Sequence, residues 1–205
     1  MIHRLDIIRQ KSFHKTIVAR LGNAKPTLEH AWKHALPEDE RAELIDGQIY
    51  YMAPPTRKHQ DVSMELSSQI KAYVRSKGGQ CKVYAAPFAV YLDESANTYV
   101  EPDISVICDK NKLTDKGCKG APDWIIEIVS PASRRMDYYT KLFKYRTAGV
   151  REYWIVDPDK DRIFVYHFVA ESAEEESMEE YTLKDSVKAG IYDELVIDFG
   201  DMDVE

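Results

Sequence analysis

The sequence predicts an α/β chain of the mixed α+β kind, a central mixed sheet flanked by helices. Three observations carry this. Asp46-Gly47 stands between two short apolar runs and reads as a two-residue hairpin turn. Val62, Leu66, Ile70 and Tyr73 recur at helical spacing and form one apolar face. The run Trp124-Ile125-Ile126-Glu127-Ile128-Val129 is apolar on both faces, as in a central strand covered from both sides.

Taken in order, residues 1–26 read as an N-terminal extension and 27–205 as one domain. Thr27 can cap a short helix to about residue 35, which Pro37 ends. Residues 42–52 read as strand, turn, strand. After Pro54-Pro55 a helix covers 58–76 and stops at Gly78-Gly79. Strands are expected over 82–92 and 103–108, with a turn over 93–98 between them. Residues 117–122 read as a loop ahead of the strand 124–129. Ser133 is placed to cap a helix that Gly149 terminates. A hairpin over 153–156 and 163–168 turns at Asp157-Pro158-Asp159. An acidic loop, a short strand near 181–183 and a closing strand over 195–199 complete the chain.

The content of 44% hydrophobic and 31% charged residues is that of a soluble globular domain. No apolar run approaches the roughly 18 residues that span a bilayer. The opening residues MIHRLDIIRQKSFHK interrupt every apolar stretch with charge and make a poor signal peptide. Cys81, Cys108 and Cys118 are odd in number and lack CxxC spacing. They argue against a disulfide framework or a structural zinc site, and for a reducing cytoplasm. The net charge of −7 is uneven: the six glutamates of 171–180 account for −6, which leaves the body at −1. A near-neutral body weakens a nucleic-acid reading without excluding it, because a bound cation changes the local field.

Glu127 is the first chemical anomaly. A carboxylate among apolar neighbours is costly unless paired or bound to metal. Asp103 is the second. It follows Pro102, which has no amide hydrogen for a ladder, so the strand begins at Asp103 and sets its carboxylate at the strand's mouth. Two such carboxylates can share one hard cation. Mg²⁺ prefers oxygen ligands, often one or two carboxylates with water and phosphate, and the Ile128 carbonyl is a natural further ligand. Asp137, Lys141 and Tyr145 stand at i, i+4 and i+8 and share a helix face. If that helix packs on the strand, Lys141 reaches Glu127 and can orient water or stabilise developing charge. The alternatives are a strand-initiating Asp103, a plain buried pair of Glu127 with Lys141, and a core Tyr145. Arg134, Arg135, Lys141, Lys144, Arg146 and Arg151 are the most basic stretch and could meet phosphates; a solvated helix face explains them equally.

The ordered set ELIDG at 43–47, His59 opening a helix, PDISV at 102–106, APDWIIEIVSP at 121–131, KLFKY at 141–145 and AGVREYWIVDP at 148–158 resembles one family. That family is the Uma family of restriction-endonuclease-like proteins, within the PD-(D/E)XK nuclease superfamily. The resemblance covers about residues 27–200. It implies a restriction-endonuclease-like fold and a Mg²⁺-dependent DNA endonuclease, with Mn²⁺ as a substitute. Asp103 and Glu127 match the two motif acids. The motif's lysine, two residues beyond the second acid, is replaced here by Val129, and the resemblance points instead to Lys141. It also implies active-site roles for His59 and Glu43. DNA is the implied substrate, and a homodimer would suit cutting both strands. The alternative is a nuclease fold without cleavage, serving as a nucleic-acid or protein-binding module.

Overall fold

In the computed structural model the described residues are 40–93, 98–168 and 176–202. The expected extension and the helix from Thr27 lie outside them, as do 94–97 of the expected turn and 171–175 of the acidic tract. Two units are present. One holds residues 40–53 with 98–99, and the other takes in the remainder.

In the first unit β1 (Ala42–Ile45) and β2 (Gln48–Tyr51) pair antiparallel, with Leu44 facing Ile49. Asp46 and Gly47 take φ of 51° and 74°. Two consecutive positive φ values give the turn a twist that matches the strands, and Asp-Gly is the pair that adopts them most cheaply. Leu44 also pairs with Tyr99, on the strand Thr98–Val100.

The second unit opens with α1 (Arg57–Ser76), which starts at Thr56 because its hydroxyl accepts the His59 amide at 3.3 Å. The chain continues with β3 (Lys82–Ala85), β4 (Val90–Asp93), the strand Thr98–Val100 as β5, whose first two residues belong to the first unit, then β6 (Ile104–Ile107), β7 (Leu113–Thr114), β8 (Gly117–Lys119) and β9 (Trp124–Ile128). A π-helical stretch, Met136–Lys141, runs into α2 (Leu142–Ala148). The chain closes with β10 (Glu152–Asp157), β11 (Arg162–His167), β12 (Ser177–Tyr181), β13 (Ser186–Lys188) and β14 (Val196–Asp198).

The main sheet has the order β12-β11-β10-β9-β6-β3. Within it β9 and β10 run parallel, joined by the π-helical stretch and α2, and every other neighbouring pair is antiparallel. This is a mixed α+β fold, as the sequence predicts. Because side chains alternate across a strand, Trp124, Ile126 and Ile128 face one way. They pack with Val62, Leu66, Ile70 and Val74 of α1 and with Val187, Ile197 and Phe199 of the C-terminal hairpin. Ile125 and Glu127 therefore face the other side. Tyr153 shares that side and meets the Tyr145 ring edge-on at 4.9 Å.

Several expectations are corrected. The strand expected over 82–92 is two strands, broken where Pro87 can donate no ladder hydrogen bond. Residues 117–119 form β8 rather than loop, and β13 was not expected; runs of three residues carry too little periodicity to be read. Residues 177–180 of the acidic tract belong to β12, a sheet-edge strand whose glutamates stay in solvent. Ser133 does not cap a helix with its side chain, which turns back to accept the Ser130 amide at 3.0 Å. The helix expected over 134–148 widens to a π-helix over Met136–Lys141 and is α-helical from Leu142. Gly149 does end it, at φ 91°. Finally, Cys81 and Cys108 form a disulfide. Lys82 pairs with Ile107 in the β3–β6 ladder, so the two cysteines stand opposite each other at its next position. Sequence spacing cannot register that adjacency, and the argument from cysteines for a reducing compartment falls with it.

Candidate metal and catalytic site

The site forms where the β6–β9 ladder ends. Ile104 pairs with Ile126, so Asp103 arrives beside Glu127 at the next position. There a side chain takes over from the backbone: Asp103 Oδ2 accepts the Ile128 amide at 2.8 Å. The Asp103 amide in turn donates to Glu127 Oε2 at 3.3 Å. The two carboxylates are thus tied into one corner, near the C-terminal end of the parallel β9–β10 pair.

Glu127 is buried on the face opposite α1. Its Oε1 accepts from Lys141 Nζ at 3.0 Å and from the Tyr145 hydroxyl at 2.5 Å. Asp137, Lys141 and Tyr145 are all buried. Lys141 Nζ also lies 3.7 Å from Asp137 Oδ1. A buried ion pair gains little stability over apolar residues of similar volume.

His59, in the first turn of α1, places Nε2 3.1 Å from Asp103 Oδ2. Burial pulls its pKa down, but the hydrogen bond and charge of Asp103, the Ile128 backbone and the charge of Asp137 outweigh it, and the net shift is upward. The Nδ1 atom is buried without a hydrogen-bond partner among the described residues. Lys58 Nζ donates to the Pro158 carbonyl at 3.0 Å and ties this end of α1 to the β10–β11 turn.

The structure therefore brings together Asp103, Glu127, Lys141, Tyr145, His59 and the Ile128 backbone. Glu43 lies in the first unit, buried on β1 opposite Tyr50. Arg134 holds both oxygens of the fully buried Asp157, at 3.0 and 3.1 Å, and Tyr138 donates to the same carboxylate. Its fork is committed to that pair. Arg135 is exposed and Lys144 half-buried. In the sequence Asp137 is a face-mate of Lys141 at i, i+4 spacing, and its depth of burial comes from the fold.

Three carboxylates, Asp103, Glu127 and Asp137, converge here on one lysine and one histidine. The surplus is negative and the donors are hard oxygens, which suits a divalent cation such as Mg²⁺. Among the described residues no three His, Cys, Asp or Glu side chains are poised to cage a metal. A cation here would draw the rest of its shell from water and substrate, as Mg²⁺ commonly does.

A family model described as "Putative restriction endonuclease", Uma2, matches residues 28–195. The chain belongs to the Uma2 family. Membership places it among nuclease-like proteins. The crystal structure of a "putative nuclease belonging to DUF820" from Anabaena variabilis superposes with a TM-score of 0.68 at 24% identity, covering 87% of this chain and 97% of that one. It has the same fold as this Uma2 chain. An uncharacterized protein of Synechocystis sp. is 27% identical over 129 residues, which are 62% of this chain and 66% of the relative's length. No helix among the described residues is long and apolar enough to cross a membrane.

Proposed function

We propose that this Uma2 protein is a divalent-metal-dependent endonuclease that hydrolyses phosphodiester bonds in DNA. One observation carries the reading: Asp103 and Glu127 are joined at the end of a ladder while Lys141 stands on Glu127 at 3.0 Å. Asp103 and Glu127 would hold Mg²⁺ or Mn²⁺, with the Ile128 carbonyl as a further oxygen. Such an ion, when bound, polarises the scissile phosphate and lowers the pKa of water. The remaining work falls to the chain. His59 and the Ile128 amide hold the Asp103 carboxylate in one orientation. Tyr145 does the same for Glu127. Lys141 presents its ammonium beside Glu127, where it orients the attacking water and offsets charge gathering on the phosphoryl oxygens. Water oxygen bonds to phosphorus and gives up a proton to solvent, the bridging P–O bond breaks, and the leaving oxygen takes up a proton from solvent. Arg134 serves Asp157, and the exposed Arg135, with Lys144 on the same helix, would meet the DNA backbone. Two copies would cut both strands.

A second reading has a specific support. Glu127 Oε1 already accepts two donors, which would suit a nuclease fold that binds without cutting. The test is DNA incubated with Mg²⁺ or Mn²⁺ and wild type, Asp103→Ala or Glu127→Ala. Each substitution is expected to lower cleavage by about 100-fold or more. Cleavage that survives in both variants removes the assigned site. Retarded but intact DNA with wild type favours the binding module.

A further inference from the structure

Lys141 sits between two buried carboxylates, and only Glu127 has a role so far. Asp137 is 2% exposed, and its Oδ1 lies 3.7 Å from Lys141 Nζ, one side-chain step back along the helix. Its backbone is fixed independently of its carboxylate. The Asp137 amide donates to the Ser133 carbonyl at 3.0 Å, and the buried Tyr153 hydroxyl donates to the Asp137 carbonyl at 3.1 Å. The π-helical stretch spans both residues and ends at Lys141; such wide turns are rare and concentrate at functional positions.

An ammonium paired with Glu127 alone would cancel that carboxylate's charge and would be repelled when a divalent cation engaged it. A second carboxylate removes the conflict. We propose that Asp137 is a positioning residue: the second counter-ion of Lys141, keeping its ammonium beside Glu127 while Glu127 serves the metal. The inference rests on the metal-nuclease reading and adds a residue to it.

The experiment is a double-mutant cycle on the full chain with Asp137→Asn, Lys141→Met, the double variant and Asp137→Glu. Asparagine is close to isosteric and leaves the Tyr153 bond untouched, and melting without metal checks the fold. Should Asp137→Asn melt early, Asp137→Ser takes its place in the cycle. Asp137→Asn is expected to lower kcat on duplex DNA about tenfold or more, to change KM less than about twofold, and to cost nothing further when Lys141 is Met. Asp137→Glu restores part of the rate. Calorimetry with Mn²⁺ alone supplies a readout without cleavage: Asp137→Asn weakens affinity about fivefold beside Lys141 and less than about twofold beside Met. Equal losses in both backgrounds, or a wild-type rate in Asp137→Asn, overturn the proposal. Wild type that binds Mn²⁺ without cutting defeats the nuclease reading alone, and the Mn²⁺ cycle still decides the role of Asp137. Wild type that neither binds nor cuts defeats both.

Discussion

Taking a glutamate out of water costs several kcal/mol unless partners replace the lost solvent. Glu127 replaces it with an ammonium, a phenol and a backbone amide. Asp103 does the same with one amide and His59. The histidine makes this corner sensitive to pH. Its folded-state pKa lies above the ordinary 6.5, so its contribution to stability is complete below 6.5 and is lost as pH rises through the raised value. In chelator, the melting-temperature gap between wild type and His59→Gln is expected to be wide at about pH 5.5 and to shrink by about pH 8.5. A gap that stays constant or widens in alkali contradicts the His59–Asp103 bond. At this scale the sequence was most informative about Glu127. A carboxylate inside an apolar strand has few explanations, whereas Asp137, in a polar stretch, offers only its i, i+4 spacing to Lys141.

Elements were legible in proportion to their length. The 20 residues of α1 repeat their apolar face often enough to be read from spacing alone. Strand β8 has three residues and offers no pattern, yet it is strictly constrained. Gly117 has φ 137°, and a Cβ there would stand 2.3 Å from the Ala89 carbonyl oxygen, a backbone atom that cannot swing aside. Gly117→Ala is therefore expected to destabilise the protein by about 2 kcal/mol or more. Chemical denaturation reads this directly, and an unchanged midpoint would show that the β4–β8 contact is looser than described. The π-helical stretch was also beyond reach from sequence. Its residues fit an α-helical reading from spacing alone.

At the scale of the whole molecule, the disulfide is the long-range constraint that spacing missed. It closes a sequence separation of 27 residues between β3 and β6. In the chain-entropy model, removing a cross-link over a loop of this length costs about 3 to 4 kcal/mol. A Cys81→Ser/Cys108→Ser double variant should melt below the oxidised wild type and together with the reduced one. Equal melting of all three would mean the bond adds nothing to the native state. The site itself sits at the opposite end of β6, so cleavage by the double variant should persist at temperatures where it stays folded.

By itself the sequence determined what repeats locally: the Asp46-Gly47 hairpin, the buried face of α1, the doubly covered β9, the common face of Asp137, Lys141 and Tyr145, and the stop at Gly149. Each follows from backbone period or from the φ preference of one residue, and neither needs knowledge of a distant partner. Tertiary structure decided what depends on which strand lies beside which. It set β6 antiparallel to β9, so that Asp103 meets the Ile128 amide. It brought Cys81 opposite Cys108, took Arg134 to Asp157, and put Asp137 within reach of the lysine that Glu127 holds. Register across a sheet arises from long-range pairing, and a linear spacing carries no record of it.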